Sequence, residues 1–497
     1  MFWQGRDAPG SPPRDRGLWV GASLGVAAAG GCVLIVAHGG GSAEVAPRLQ
    51  VAALVGLVGL VTALAVRDRV RGPRRVILWI AALVLGGACL NLMPLLVGTG
   101  PSGLARLVSV MPPSGGDFRG GLYEPALAFS NAGSIWPPLT LIVGRAYTLM
   151  SWSDAYVVHV VVLIASAAAS AFLASALAVR VSSTEGASGV AREVGPRQLS
   201  IVAGCWLLTS YGFLFEIERG NANLVALLLM LLAVWLLVSR PRHLWLCAFC
   251  LALAVSFKVY PATLLVLVFW RWGLRALLPV TVTNVALLLV AGPANAARFL
   301  VNLTSAQTSE GYVWLGNHSA VSFAQTVATA TGGPANAIVA CVVVLSLGLW
   351  TATIAVLVRR GWSERGGVLA AASCVPVMCV LPTLSHDYKL VVLVFPLSVL
   401  FAVLATAEDL RPTVWSVAFA VVGLETVLLA RSTLLMDTAH LVVGANVLAN
   451  KLPAILLLKA LLLAAAWLPA EPRRRPARAE RLASGRTEEA CLEGLKQ

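Results

Sequence analysis

Charge is what this chain lacks most. Only 12% of its 497 residues are Asp, Glu, Lys or Arg, about half the roughly 25% of a soluble domain. Lysine is scarcer still, since 32 of the 37 basic residues are arginine. In place of charge stand apolar runs of 17–25 residues, each long enough to cross about 30 Å of hydrocarbon. That excludes a soluble core and predicts an all-α, polytopic transmembrane helix bundle. The net charge of +14 is scattered over short connections and one tail. Such a distribution orients spans in a membrane rather than gripping nucleic acid.

Other absences narrow the chemistry. Eight of the nine cysteines sit in apolar runs, and the Cys247/Cys250 pair has no second pair to complete a zinc site. They read as small buried hydrophobes. No Gly-rich loop resembles a nucleotide phosphate cradle, and no nucleotide-binding domain fits between the spans. Carboxylates and histidines are too dispersed for a metal site of ordinary ligand spacing. No metal and no cofactor is predicted. No cleavable signal peptide and no internal repeat stands out.

What is present is a series of spans oriented by arginine. Residues 1–17 read as a disordered cytoplasmic N-terminus. Spans follow near 18–38, 51–66 and 76–97, and five arginines within 67–75 hold that connection inside. Residues 98–154 then form a first large outer loop, with an amphipathic stretch at 139–150. Further spans fall near 155–179, 199–215 and 224–238. Residues 244–270 are broken by Lys258-Val259-Tyr260-Pro261 and read as a hairpin turning at Lys258, which keeps Arg271 and Arg275 inside. A second outer loop covers 293–336, more spans follow to 468, and 469–497 form a basic cytoplasmic tail. The bundle, 18–468, has about 14 membrane segments, with both termini cytoplasmic.

This topology puts the unusual polar clusters on one outer face: Asp117, Glu218-Arg219, Lys258, Asn317-His318 and His386-Asp387. The plain reading of Asp117, beside glycine pairs, is a solvated turn residue. The chemical reading is a single general base acting on an acceptor hydroxyl. A lysine within an apolar run costs about 2.5–3.5 kcal/mol unless it snorkels or faces a partner. Lys258 therefore suits an anion such as a lipid phosphate, with Arg219 and His386 converging on it.

The motifs together resemble glycosyltransferase family 87, of the polytopic GT-C class. They are Gly116-Asp117-Phe118-Arg119 with Tyr123, Trp136-Pro137-Pro138, Arg219-Gly220-Asn221-Ala222-Asn223, Phe257-Lys258-Val259-Tyr260-Pro261, Gly316-Asn317-His318-Ser319 and Ser385-His386-Asp387-Tyr388. The resemblance implies a GT-C-type bundle that transfers mannose or arabinofuranose from a polyprenyl-phosphate sugar, with inversion. The acceptor would be a glycolipid or cell-wall glycan outside a bacterial plasma membrane. Asp117 maps onto the catalytic Asp. Lys258, Arg219 and His386 would bind donor phosphate. Arg119, Tyr123, Asn221, Asn317, His318 and Asp387 would contact sugar or acceptor. Members often carry Gln where this chain has Arg219. The competing class is a transporter or lipid-carrier flippase, which also uses broken helices and intramembrane charge. It predicts polar groups toward both faces and paired halves.

Overall fold

The structure, a computed structural model, describes residues 115–131, 135–182, 196–308, 316–406, 428 and 451–467. The spans expected before residue 98, the 67–75 connection, the 414–430 span apart from residue 428, and both terminal segments lie outside the described residues.

The described chain is helical. One continuous helical stretch comprises α1 (Gly116–Phe118), a π-helical turn (Arg119–Tyr123) and α2 (Glu124–Ala128). Then come α3 (Leu139–Tyr147), α4 (Trp152–Ser182), α5 (Pro196–Thr209), α6 (Tyr211–Arg219), α7 (Asn223–Ser239) and α8 (Leu244–Phe257). A 3-10 turn (Tyr260–Leu264) leads to α9 (Leu265–Trp272), and a second (Gly273–Ala276) to α10 (Leu277–Leu289). α11 (Pro293–Thr308), α12 (Ala320–Thr331), α13 (Ala335–Arg360) and α14 (Glu364–Val380) follow. A third 3-10 turn (Asp387–Leu393), α15 (Val394–Thr406) and α16 (Leu452–Ala466) complete the described elements.

Among the described residues, three stretches are long and apolar enough to cross a membrane: Trp152–Val181, Tyr260–Leu289 and Ala335–Arg360. α5 and α6 make a fourth if counted together, bent by 59°. Apolar length overstates the second stretch. Gly273 leaves the helical region at φ 58°, ψ −145°, and Trp272 Nε1 donates to Pro241 O at 2.9 Å. The end of α9 is thus back beside the connection between α7 and α8. The chain makes a hairpin through α8 and α9 with its tip at Lys258, where the helix breaks.

α14 is the centre of the packing, with every residue from Gly366 to Val380 buried. A helix apolar on all sides belongs inside a bundle, and its Ala370, Ala371, Ala372 and Ser373 let neighbours approach closely. α4 presents a similar seam of small residues, Ala167, Ala171, Ala174 and Ala178, each buried. It packs against α5, α7 and α15.

The bundle has two chemically distinct ends. At one, Arg180 Nη1 pairs with Glu364 Oε2 at 2.5 Å, Arg271 lies 4.7 Å over the Trp362 ring, and Arg360 Nη1 donates to Ala466 O at 2.6 Å. The other end holds the polar clusters. Several of them depart from the expected loops. Asp117 lies on α1, and Glu216 through Arg219 continue α6. The stretch 293–336 contains α11 and α12. In each case the backbone satisfies its own hydrogen bonds helically, which a segment packed against apolar helices requires.

Candidate active site

The α6–α7 junction sets the geometry. Ser210 starts α6, its side chain accepting from Phe213 N at 3.2 Å, as an N-cap should. Gly220 ends it at φ 64°. An L side chain there would be strained, and its Cβ would also fall 2.7 Å from Phe118 Cβ. The tight turn brings Glu216, Arg219, Asn221 and Asn223 together. The buried Glu216 carboxylate caps α7: Oε1 accepts from Asn223 N at 2.6 Å and Leu224 N at 3.2 Å, and Oε2 accepts from Asn223 Nδ2 at 2.9 Å. An anion at a helix N-terminus meets unsatisfied N–H groups and the positive end of the dipole.

α1 docks onto this turn. Gly115 N donates to Glu218 O at 2.6 Å. Phe118 is buried against Tyr147 and Tyr156 and stacks on His159, ring centres 4.7 Å apart. The docking delivers the Asp117 carboxylate to two donors. Oδ1 accepts from Arg219 Nε at 3.1 Å and Nη2 at 2.5 Å, and Oδ2 accepts from Asn221 Nδ2 at 2.9 Å. The Asp117 side chain remains 18% exposed, enough to be reached. Arg219, expected on a donor phosphate, is hydrogen-bonded to Asp117.

Lys258 arrives from the hairpin tip. Its Nζ stands 3.9 Å over the Trp136 ring, a cation–π contact. Trp136 rests on Gly121, where an added Cβ would meet the indole at 2.5 Å. Glu216 and Asp117 both act electrostatically on Lys258.

A third segment closes the site. Asn317 and His386 form an isolated antiparallel bridge, the one strand-like pairing among the described residues. His318 N donates to Ser385 O at 2.7 Å, and Ser385 N donates to Asn317 Oδ1 at 2.9 Å. This holds the His386 imidazole where Asp117 and Arg219 influence it. Burial lowers the His386 pKa to about 4, chiefly by desolvating the cation. His386 is therefore a neutral imidazole at pH 7, where the sequence reading grouped it with the cations. His318 and Asp387 join Lys451 in a buried trio. His318 Nδ1 accepts from Lys451 N at 3.3 Å, leaving Nε2 to donate to Asp387 Oδ1 at 2.8 Å. Lys451 Nζ donates to the same oxygen at 2.9 Å. Burial lowers the His318 pKa. Burial alone would raise that of Asp387, but Lys451 and His318 outweigh it and hold the carboxyl below its ordinary range.

Two expected site residues stand apart from Asp117. Arg119 pairs with Glu124 at 2.7 Å on an exposed surface. Tyr123 gives its hydroxyl to Met150 O at 2.9 Å. The structure adds four residues that sequence reasoning left out of the site: Glu216, Trp136, Lys389 and Lys451. Lys389 and Lys451 carried a signal, being two of five lysines in an arginine-rich chain. Glu216 carried a weaker one, an acid seven positions before the start of an apolar helix.

The sequence model of glycosyltransferase family 87 matches residues 135–385, just over half of the chain. No curated protein and no solved structure matches it.

Proposed function

The chain belongs to glycosyltransferase family 87, and from that premise we propose a specific reaction for this membrane glycosyltransferase. It transfers a mannosyl or arabinofuranosyl residue from a polyprenyl-phosphate sugar to a glycolipid or cell-wall glycan. The reaction runs with inversion at the outer face of a bacterial plasma membrane, within a GT-C-type bundle.

The observation that carries this reading is the convergence of Asp117, Arg219, Asn221, Lys258 and His386 from four separate segments. Asp117 acts as the base. Arg219 and Asn221 each occupy one of its oxygens and fix the carboxylate plane, while remaining lone pairs face an acceptor hydroxyl. As the acceptor oxygen bonds to the anomeric carbon, its proton passes to Asp117. The bond from that carbon to the phosphate oxygen breaks, and polyprenyl phosphate leaves. One displacement at one carbon inverts the configuration, as when a lone base activates the nucleophile in inverting glycoside chemistry. Lys258, on which Asp117 acts electrostatically, contacts the departing phosphate, an electrostatic role that grows as charge develops. The neutral His386 offers a hydrogen bond rather than a charge.

The test is labelled-sugar transfer by membranes carrying wild type or Asp117→Asn at matched expression. The expected result is glycolipid labelling by wild type and a loss of at least about a hundredfold in the variant, within the usual contribution of a general base. Equal transfer by the two proteins would remove Asp117 from the chemistry. No transfer by wild type from either donor would remove the donor class.

A further inference from the structure

Lys389 is nearly inaccessible, at 5% exposure, on the 3-10 turn Asp387–Leu393. Its Nζ lies 4.7 Å over the Tyr260 ring. Among the described residues its side chain has no ion pair and no hydrogen bond. Burying an ammonium without an anion is costly, and the groups that act on it are the Cys379 thiol and another cation, Lys258. The two lysines share one arrangement: each ammonium is steered by an aromatic face, Lys389 by Tyr260 and Lys258 by Trp136. Tyr260 is itself fixed, its hydroxyl donating to Asn223 Oδ1 at 3.2 Å. An aromatic face orients an ammonium without neutralising it and leaves its N–H donors available. Arg219 is hydrogen-bonded to Asp117, and Glu216 and Asp117 act on Lys258, whereas no carboxylate among the described residues acts on Lys389.

We infer that Lys389 and Lys258 form a two-lysine seat for the phosphate released in the transfer, with Lys389 the cation that answers the charge gained on release. The inference rests on the reaction proposed above. The donor is a phosphodiester with one negative charge. When the anomeric carbon–oxygen bond breaks, its electron pair stays on the phosphate oxygen, and the product is a monoester with up to two charges. An additional, unneutralised ammonium distinguishes these two states more than it binds either.

The test uses the purified full-length protein, with a polyprenyl monophosphate as product inhibitor and its mannosyl or arabinosyl phosphodiester as donor. Lys389→Met keeps the aliphatic stem and removes the charge. It should weaken inhibition by the monophosphate about ten- to a hundredfold, the scale of one charge-assisted hydrogen bond, and lower kcat more than it raises the donor KM. Lys389→Arg should restore most of both. Thermal unfolding of each variant with and without the monophosphate gives a readout independent of turnover, and wild type should be stabilised where the Met variant is not. If Lys389→Met does not fold, Tyr260→Leu removes the ring that steers the ammonium and should weaken inhibition in the same sense. Inhibition unchanged in Lys389→Met, or in Tyr260→Leu where that variant is the one used, would overturn the inference and leave the proposed reaction standing. A wild-type protein that neither binds the monophosphate nor uses the phosphodiesters would overturn the reaction, and the seat with it.

Discussion

Arg219 and Asp117 are 102 positions apart in the chain, yet two guanidinium nitrogens meet one carboxylate oxygen. That pairing defines what the arginine does. A guanidinium presents a rigid planar fork, whereas an ammonium is a single point donor on a flexible stem. Arg219→Lys would preserve the charge and lose the two-pronged hold on Asp117. The expected outcome is a fall in kcat of about ten- to a hundredfold, the worth of a charge-assisted hydrogen bond, with the donor KM little changed. Steady-state kinetics separate this from a role on the donor. If KM rises and kcat holds, Arg219 is a phosphate ligand, as the motif alone suggested. Local sequence could not decide between the two, because the partner of a cation is a tertiary fact. The same holds for Arg119: it lies two positions from Asp117 on a helical stretch, so the two side chains leave in different directions. Proximity in the motif did not become proximity in the site.

At the scale of elements, the legible features were those that break a pattern. Lys258-Val259-Tyr260-Pro261 interrupts an apolar run with a charge and a proline, and the helix breaks there. Gly220 follows a polar helix end and takes the positive φ that ends α6. The reversal at Gly273 was implied only by the arginines beside it, and an apolar-length criterion runs straight through it. Least legible was the connection between α16 and the site, because α16 reads as one more apolar helix. The structure shows it clamped at two points. Lys459 Nζ donates to Ser346 O at 2.6 Å on α13, and Lys451 Nζ donates to Asp387 Oδ1 at 2.9 Å. Asp387 directly follows His386, so the second clamp supports the strip that carries His386 and Lys389. Lys451→Met withdraws an ammonium from a buried carboxylate and should destabilise the protein by about 3–5 kcal/mol. Lys451→Met with Asp387→Asn removes both charges and should cost less than the single change. Thermal unfolding in detergent, read as a double-mutant cycle, measures the coupling. Additive losses would mean that the pair contributes nothing as a pair.

For the whole molecule, these clamps make the polar end of the bundle a buried electrostatic structure with a defined response to acid. His318 and His386 lie outside the candidate spans, and burial holds both below the ordinary imidazole pKa of 6.5, His386 at about 4. In the unfolded chain each would titrate near 6.5. Between that value and the folded one, the unfolded state binds more protons, so stability rises with pH. The contribution is complete above about 6.5 and is lost as pH falls toward the folded value of about 4. Asp387 acts in the same direction at lower pH. Its folded pKa is depressed, so the stabilisation it supplies is present above the unfolded carboxylate value of about 3.9 and drains away below it. The melting temperature should therefore hold between pH 7 and 8, decline from about pH 6.5 to pH 4.5, and fall further in stronger acid. His386→Asn, which cannot take up that proton, should make the decline between pH 6.5 and 4.5 shallower, with the His318 share remaining, while leaving the strongly acidic loss in place. A wild-type melting temperature constant across that window would mean that the imidazoles are as accessible to protons in the folded protein as in the unfolded one. The site would then be wetter than its packing against α6 and α14 implies.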